Sequence, residues 1–281
     1  MMSEKGKGFM TEEYRIKNKE KGLVIPVFLT KEENTGIQSR TVRAYGSICA
    51  PRCIQGDPGV TNSGLLFVMF ANRDDKEPFL FTFTPMKLLV IGDIFGKLGR
   101  RMVQEHLPAL REQYEPDFII ANSENICHGK GPQMKHITFL QDLGCDVLTG
   151  GNHSFINSDD ISDYMDQDDA IQIRAANYFE SMYAPRMPGK GFKLVEKDGK
   201  KLLVISLLSN TFMRDSLYNP FIRVQEIIDE VGQQADAIVV DFHKEVTSEG
   251  YAMANLLDGK ASLIYGTHTH VQTNDDQIFP K

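Results

Sequence analysis

The stretch ASLIYGTHTH, residues 261–270, joins a short apolar run to two histidines that lie two positions apart. An apolar run that ends at a glycine is typical of a buried strand leading into a loop. Side chains two positions apart on an extended backbone point the same way, so His268 and His270 can reach one small volume. By itself a His-x-His pair is weak support for a metal site, because many such pairs are ordinary surface or core histidines. Other ligands are therefore needed from elsewhere in the chain.

Size and composition indicate a globular protein of one or two domains. The 281 residues are 41% hydrophobic, which is enough for a full core. No apolar run approaches the roughly 18 to 20 residues of a membrane span, and the N-terminus lacks the order of a signal peptide. Four cysteines in so long a chain do not form a disulfide framework. We therefore expect a cytoplasmic protein with free thiols.

The net charge of −7 is unevenly distributed. Residues 1–85 carry 12 basic and 10 acidic side chains, whereas residues 86–281 carry 19 and 28. An acidic body argues against binding to long nucleic acid, which requires a basic surface. A small nucleotide stays open as a substrate, because bound metal can meet its phosphate. A homo-oligomer also stays open.

The pattern of the sequence changes at Met86. Residues 1–85 contain apolar patches without clean periodicity, and we interpret them as an N-terminal extension of unknown fold, either disordered or an artefact of the gene model. From Lys87 onward, strand-like and helix-like stretches alternate with short connections. This order predicts an α/β fold with a mainly parallel sheet flanked by helices.

The predicted elements after Met86 follow the apolar periodicity of the chain. We predict strands at 88–91, 118–121, 146–148, 237–240 and 261–265, helices at 99–111, 134–143, 158–165, 224–231 and 248–257, and a hairpin of strands at 192–196 and 202–207.

Each of the five separate strands ends in polar residues that could bind a metal or carry out chemistry. In chain order they are Asp93, then Glu124 and Asn125, then Asn152 and His153, then His243, and finally His268 and His270. In open α/β sheets the ligand site lies beyond the carboxyl ends of the strands. The sequence therefore predicts one cluster built from five separate pieces of the chain.

Each of these residues also has an ordinary interpretation. Asp93 could cap the following helix, and the residues around Glu124 and at 150–153 could form solvated turns. His243 could be a core histidine bonded to backbone. The metal interpretation is favoured because all of these residues fall at the same end of successive strands.

Carboxylate, amide and imidazole groups together suit a divalent transition metal such as Fe, Mn or Zn. The absence of cysteine at the strand ends argues against a structural zinc site. The cluster offers more candidate ligands than a single metal with an open coordination position can bind. Two metals that share a bridging carboxylate would bind all of them. Two such ions, about 3.5 to 4 Å apart, generate hydroxide near neutral pH and hold a phosphoryl group for in-line displacement.

Five motifs in this order resemble the YmdB-type metallophosphoesterases, a bacterial branch of the calcineurin-like superfamily. They are IGDIFG (91–96), NSENICHGKG (122–131), GGNH (150–153), VDFHKEVTSE (240–249) and GTHTHVQT (266–273). The resemblance runs from Met86 to Lys281. It implies a four-layer α/β/β/α sandwich and a phosphodiesterase that hydrolyses small cyclic nucleotides, with 2′,3′-cyclic nucleotides as the usual substrates.

The resemblance also implies a role for each residue of the cluster. The first metal would be held by Asp93, Glu124, Asn125 and His270. The second would be held by Asn152, His243 and His268, with Glu124 bridging both. His153 would be the general acid that protonates the leaving ribose oxygen while hydroxide produced at the metals attacks phosphorus. Fe or Mn would be the metals, with Zn as an alternative, and no substrate-binding residue is predicted.

Some residues depart from the family pattern. Most calcineurin-like enzymes have Asp-x-His in the first motif, whereas here Asp93 is followed by Ile94 and Phe95, and Asn125 compensates in the YmdB branch. After GGNH the family has an aromatic residue and an aspartate, whereas this chain has Ser-Phe-Ile at 154–156. Family members also continue past the segment equivalent to 278–281, which predicts that the domain at 86–281 lacks its last strands.

Three other functions compete with the phosphodiesterase. A phosphomonoesterase could use the same metal site. A nuclease could also use it, although the acidic body disfavours binding to nucleic acid. A truncated, inactive metal-binding protein with a regulatory role belongs to a different class, and the missing strands favour it.

Overall fold

The computed structural model describes the side chains of residues 86–155, 161–179, 187–213, 217–271, 273 and 275–279, and the backbone of three strands before residue 86. The strands are β1 (Glu12–Asn18), β2 (Leu23–Leu29), β3 (Leu66–Ala71), β4 (Met86–Asp93), β5 (Phe118–Asn122), β6 (Val147–Thr149), β7 (Phe192–Lys197), β8 (Lys200–Leu208), β9 (Ala237–Lys244) and β10 (Leu263–His268). The helices are α1 (Gly96–Tyr114), α2 (Met134–Asp142), α3 (Ser162–Met165), α4 (Pro220–Val231) and α5 (Thr247–Leu257).

Eight of these strands form two four-stranded sheets with the same plan. In the first sheet, ordered β3-β4-β5-β6, the last three strands are parallel and β3 pairs antiparallel with β4. In the second sheet, ordered β10-β9-β8-β7, three strands are again parallel and β7 pairs antiparallel with β8. The prediction of an α/β fold with mainly parallel pairing and a β7–β8 hairpin is confirmed. The strands divide between two sheets, whereas the apolar pattern alone indicated one.

The central strands of the two sheets are buried on both faces. In β4, Leu88 and Val90 join a core shared with residues of the second sheet, whereas Leu89 and Ile91 join a core lined by α1 and α2. Strand β9 alternates in the same way between the shared core and a core lined by α4 and α5. Successive strand side chains point to opposite faces, and here helices line the core on one face of each sheet. The other face is buried against the second sheet.

Several elements extend further than their sequence patterns predict. Helix α1 begins at Gly96 rather than Gly99, and β9 and β10 continue to Lys244 and His268. His243 and His268 therefore lie inside strands rather than after them. Helix α3 covers only Ser162–Met165, and residues 158–160 of the predicted helix lie outside the described residues.

The structure describes three strands before Met86. Strands β1 and β2 pair antiparallel with each other, and β3 pairs with β4 from Leu66↔Ile91 to Ala71↔Met86. The first 85 residues thus supply an edge strand to the first sheet. Within the described part of the chain, no helix is both long and apolar enough to cross a membrane.

Candidate metal centre

The parallel strands of both sheets end at the same place. The backbone N–H of His268, at the end of β10, donates to Oδ2 of Asp93, at the end of β4, over 3.0 Å. This contact joins the carboxyl edge of the second sheet to that of the first. All eight predicted side chains are linked there by contacts of 3.5 Å or less.

One group of donor atoms surrounds the side-chain amide of Asn125. Its Nδ2 atom lies 3.3 Å from Oδ1 of Asp93, 2.8 Å from Oε1 of Glu124 and 3.1 Å from Nε2 of His270. His270 Nε2 also lies 3.5 Å from Asp93 Oδ1. These four residues are the set that the resemblance implies for the first metal.

A second group surrounds Nε2 of His243. That atom lies 3.0 Å from Oδ1 of Asn152, 3.1 Å from Nδ1 of His268 and 3.2 Å from Oε1 of Glu124. Ligand atoms of Glu124, His243 and His268 all lie within 4.8 Å of one another. These are the residues implied for the second metal.

A single atom, Oε1 of Glu124, belongs to both groups. The other carboxylate oxygen, Oε2, accepts the backbone N–H of His153 over 3.0 Å, so the carboxylate cannot rotate freely. A Cβ added to Gly151 would lie 2.0 Å from Oε2, so only glycine lets the 150–153 turn pass this close to Glu124. The GGNH motif therefore fixes the carboxylate that both groups share.

The donor chemistry of both groups fits divalent cations. Nε2 of His243 and Nδ1 of His268 lie 3.1 Å apart, and each ring nitrogen can bind a cation when it is unprotonated. The amide of Asn125 presents Nδ2 to three acceptors, and a rotation of the amide would present its oxygen instead. Oxygen and nitrogen donors without cysteine suit a transition metal with open positions.

The carboxylates of the cluster stay ionised because histidines surround them. Burial alone would raise the pKa of Glu124, but the charge of His243 and a hydrogen bond to His153 lower it well below its ordinary range. Burial also opposes ionisation of Asp93, whose pKa is nevertheless lowered by the hydrogen bond to His270. Both carboxylates are thus ionised at neutral pH, which is the form that binds a cation.

The histidines respond to the same carboxylates. Burial lowers the pKa of the His243 ring, but Glu124 outweighs it and raises that pKa to about 9. A hydrogen bond to Asp93 raises the pKa of His270, and a hydrogen bond to Glu124 raises that of His153. Burial and the neighbouring His243 lower the pKa of His268. The carboxylates thus favour the protonated form of His243, His153 and His270.

His153 lies beside the two groups rather than inside either. Its Nδ1 atom lies 3.1 Å from Oδ1 of Asn125 and 3.5 Å from Oε1 of Glu124. The side chain of His153 is 36% exposed, whereas those of Glu124 and His243 are 0% exposed. The ring therefore has access to a molecule that enters from solvent.

The ordinary interpretations agree with the structure only in that residues 124–128 and 152–155 form turns. Helix α1 begins after Phe95 without a side-chain cap, so Asp93 does not cap it. Glu124 is fully buried rather than solvated, and His243 bonds to side chains rather than to backbone. His268 and His270 both reach the cluster, although both have positive φ, 100° and 52°, and their rings join different groups.

Phe95 occupies the position at which most calcineurin-like enzymes have histidine. Its ring contacts His270 edge-on, with 6.0 Å between the ring centroids, and contacts His128 with 6.1 Å between them. Phe95 therefore packs against a candidate ligand without offering a donor atom. The amide of Asn125 contacts Asp93, Glu124 and His270, which is consistent with the compensation that the resemblance implies.

Four residues beneath and beside the cluster were not singled out from the sequence. Asp241 is fully buried and accepts the Thr267 hydroxyl over 2.7 Å, and that hydroxyl lies 2.8 Å from Nδ1 of His243. Glu245 lies 3.0 Å from Nε2 of His268. Asn122 accepts the N–H of Glu124 through Oδ1, over 3.1 Å. Asp241 could have been found, because it lies two positions before His243 on one face of β9.

The family model of YmdB-like proteins matches residues 89–281. The chain belongs to the YmdB-like protein family. A Bacillus subtilis relative described as 2′,3′-cyclic-nucleotide 2′-phosphodiesterase is 43% identical over 196 residues, which cover 70% of this chain and 71% of the relative. The predicted resemblance is thereby confirmed.

Solved structures agree with this membership. A crystal structure of a hypothetical protein from Thermus thermophilus has a TM-score of 0.62 and 37% identity, covering 69% of this chain and 72% of that one. A structure described as a novel phosphatase from Mycoplasma pneumoniae has a TM-score of 0.63 and 34% identity. The match covers 69% of this chain and 68% of that one. Membership of the YmdB-like family, with a phosphodiesterase and a phosphatase among its relatives, confirms the predicted class of phosphoric ester hydrolase.

Proposed function

We propose that the chain is a di-metal phosphodiesterase that hydrolyses small cyclic nucleotides. The observation that carries this proposal is the sharing of Glu124 Oε1 by the two donor groups, 2.8 Å from Asn125 Nδ2 and 3.2 Å from His243 Nε2. Asp93, Asn125 and His270 would hold one ion with Glu124, and Asn152, His243 and His268 would hold the other. Fe or Mn suits this mixture of oxygen and nitrogen donors, with Zn as an alternative.

Metal ions bound there would acidify water and neutralise charge on a phosphoryl group. The protein would supply the other part of the reaction, a proton for the leaving oxygen. We assign this role to His153, whose ring is partly exposed and whose backbone N–H is anchored on Glu124. The hydrogen bond to Glu124 raises the pKa of His153, which favours the protonated ring that a general acid needs.

A 2′,3′-cyclic nucleotide is the substrate we favour. The Bacillus subtilis relative is described by this activity, and the YmdB-like family model matches residues 89–281, which contain all eight residues of the cluster. Residues 86–281 carry 28 acidic and 19 basic side chains, which disfavours a long polyanion more than a small substrate. In a 2′-phosphodiesterase reaction the bond from phosphorus to the 2′ oxygen breaks, and His153 would protonate that oxygen.

The finer architecture and the cellular setting belong to the same proposal. Two sheets that share a core, with helices against their outer faces, support a four-layer α/β/β/α arrangement. We place the start of the hydrolase domain at Met86. The buried thiol of Cys145 is unpaired, which suits the reducing cytoplasm.

The test is hydrolysis of 2′,3′-cyclic AMP by the purified chain loaded with Mn²⁺ or Fe²⁺. We expect turnover, with the phosphate left on the 3′ oxygen, and loss of turnover after removal of metal by a chelator. Folded, metal-loaded protein that leaves the cyclic phosphodiester intact would contradict the proposal.

A phosphomonoesterase is the alternative that a specific observation favours, because the Mycoplasma pneumoniae structure is described as a phosphatase. Adenosine 3′-monophosphate and 2′,3′-cyclic AMP, given to the same enzyme sample, separate the two activities. Release of phosphate from the monoester alone would favour the phosphatase. Uptake of metal without hydrolysis of either compound would favour an inactive metal-binding protein.

A further inference from the structure

A carboxylate lies beneath the metal centre where the two sheets meet. Asp241 on β9 is fully buried, and its Oδ2 atom accepts the Thr149 hydroxyl and, over 3.2 Å, the amide Nδ2 of Asn122. Its Oδ1 atom accepts the hydroxyl of Thr267 over 2.7 Å. Asn122 and Thr149 end strands of the first sheet, whereas Asp241 and Thr267 belong to the second. The carboxylate therefore links the two sheets directly under the donor groups.

The Thr267 hydroxyl has one proton, and Asp241 accepts it. The same oxygen lies 2.8 Å from Nδ1 of His243, so only its lone pairs are available to that nitrogen. Nδ1 must therefore carry a proton that it donates to Thr267. With the Nδ1 proton held in this way, Nε2 is the nitrogen that can offer a lone pair, and it faces Glu124, Asn152 and His268.

We propose that Thr267 and Asp241 are positioning residues that fix the tautomer and orientation of His243, so that its Nε2 atom is presented to the second metal. This inference rests on the proposed di-metal function. Neither residue touches the metal or the substrate in this proposal, because both act through the ring of His243. Such outer partners of metal-binding histidines determine ring orientation and ligand basicity.

Packing alone does not account for this arrangement. Burying a carboxylate is costly, and burial raises the pKa of Asp241 to about 6. Apolar side chains of similar volume could fill the same space between the sheets at lower cost. The network also reaches the other side of the site, since Asn122 Oδ1 accepts the backbone N–H of Glu124 over 3.1 Å. One buried network thus supports both the shared carboxylate and a histidine of the second group.

The first test compares Mn²⁺ binding by Thr267→Val and Thr267→Ser, measured by calorimetry on folded protein. Valine keeps the shape of threonine but removes the hydroxyl, so we expect one of two metal equivalents to bind roughly 10- to 100-fold more weakly. Serine keeps the hydroxyl, and we expect it to restore the affinity. Wild-type affinity for both equivalents in Thr267→Val would overturn the proposal.

Thr149→Val is the matched control. It removes a hydroxyl from the same carboxylate but leaves the contact between Thr267 and His243 in place. A purely structural role would make the two valine variants equivalent in stability and in metal affinity. We expect similar losses of stability, with the large loss of metal affinity confined to Thr267→Val. Equal metal affinities in the two variants would overturn the proposal.

A second test measures the wild-type protein, and a variant serves only to assign one signal. Nitrogen-15 NMR of the histidine rings reports which nitrogen is protonated, and a His243→Asn variant assigns the signal. We expect a slowly exchanging proton on Nδ1 of His243 in wild-type protein, both without metal and with Zn²⁺. An unprotonated Nδ1 would overturn the proposal. Failure of wild-type protein to bind metal would instead contradict the di-metal function, so the two failures are distinguishable.

Discussion

Oε1 of Glu124 lies 3.2 Å from Nε2 of His243, and both side chains are completely buried. The first comes from the loop after β5 and the second from β9, so this contact spans the two sheets. The same oxygen contacts Asn125 over 2.8 Å. A carboxylate in this position can bridge two cations, and its loss should affect both.

Glu124→Gln is expected to reduce bound Mn²⁺ from two equivalents to one or none. Glutamine keeps the shape of the side chain but removes the negative charge that offsets two cations. Elemental analysis of dialysed protein measures the number of bound Mn²⁺ ions per chain. Glu226→Gln is the control, because this carboxylate pairs with Arg223 on α4, away from the site. Retention of both equivalents by Glu124→Gln would show that this carboxylate does not bridge.

His153→Ala is expected to lose roughly 10²- to 10⁴-fold in turnover of 2′,3′-cyclic AMP while it keeps both metals. The reason is that His153 lies beside the donor groups and would supply only the proton. His106→Ala removes a histidine from α1, about 15 Å along the helix from its first residue, and should leave turnover unchanged. Parallel measurements of metal content and initial rates check this prediction. Equal rates for the wild-type and His153→Ala proteins would remove His153 from its role.

Gly151→Ala is expected to lower turnover by about 100-fold, because displacement of a reacting group by an ångström has an effect of this size. The added Cβ would lie 2.0 Å from Oε2 of Glu124 and 2.5 Å from Cε1 of His243. Gly199→Ala is the matched control, since no atom lies within 4 Å of its Cβ. Its positive φ of 75° should cost about 1 to 2 kcal/mol of stability without affecting metal content. Normal metal binding and turnover in Gly151→Ala would contradict the close packing of Gly151 against the Glu124 carboxylate.

Cys145 is expected to resist alkylation in the folded protein. Burial raises the pKa of its thiol from 9.0 to about 12, so the reactive thiolate is scarce at ordinary pH. Because the folded-state pKa is raised, the associated stability is complete below about pH 9 and is lost as the pH rises through 12. Mass spectrometry of alkylated peptides measures the labelling of Cys145, with the partly exposed Cys127 as an internal control. Equal labelling of both thiols in native protein would contradict the burial of Cys145.

Much of the fold follows from the period of the apolar residues. Leu88 to Ile91 and Ala237 to Val240 are apolar at every position, which predicts parallel strands buried on both faces. The same property hides the division into two sheets, because a strand with two apolar faces does not reveal whether a helix or another sheet covers each one. The domain start at Met86 and the missing last strands stay predictions.

The clustering of the candidate ligands was predictable where these residues follow strands, and less so where they lie inside them. Asp93, Glu124 and Asn152 stand at the carboxyl ends of apolar runs and are brought together. Asp241 is preceded by Ala237 to Val240 and reads as the polar end of that strand. Its role depends on register, since Thr267 pairs with His243 across β9 and β10. The register between two strands that are far apart in the chain depends on the tertiary structure, so it cannot be predicted from a single sequence.

Crystals of the wild-type protein soaked in Mn²⁺ and measured near the manganese absorption edge would locate the metals themselves. We expect two anomalous peaks about 3.5 to 4 Å apart, one on each side of Oε1 of Glu124. One peak should lie among Asp93, Asn125 and His270, and the other among Asn152, His243 and His268. A single peak, or peaks that do not share Glu124, would contradict a di-metal hydrolase.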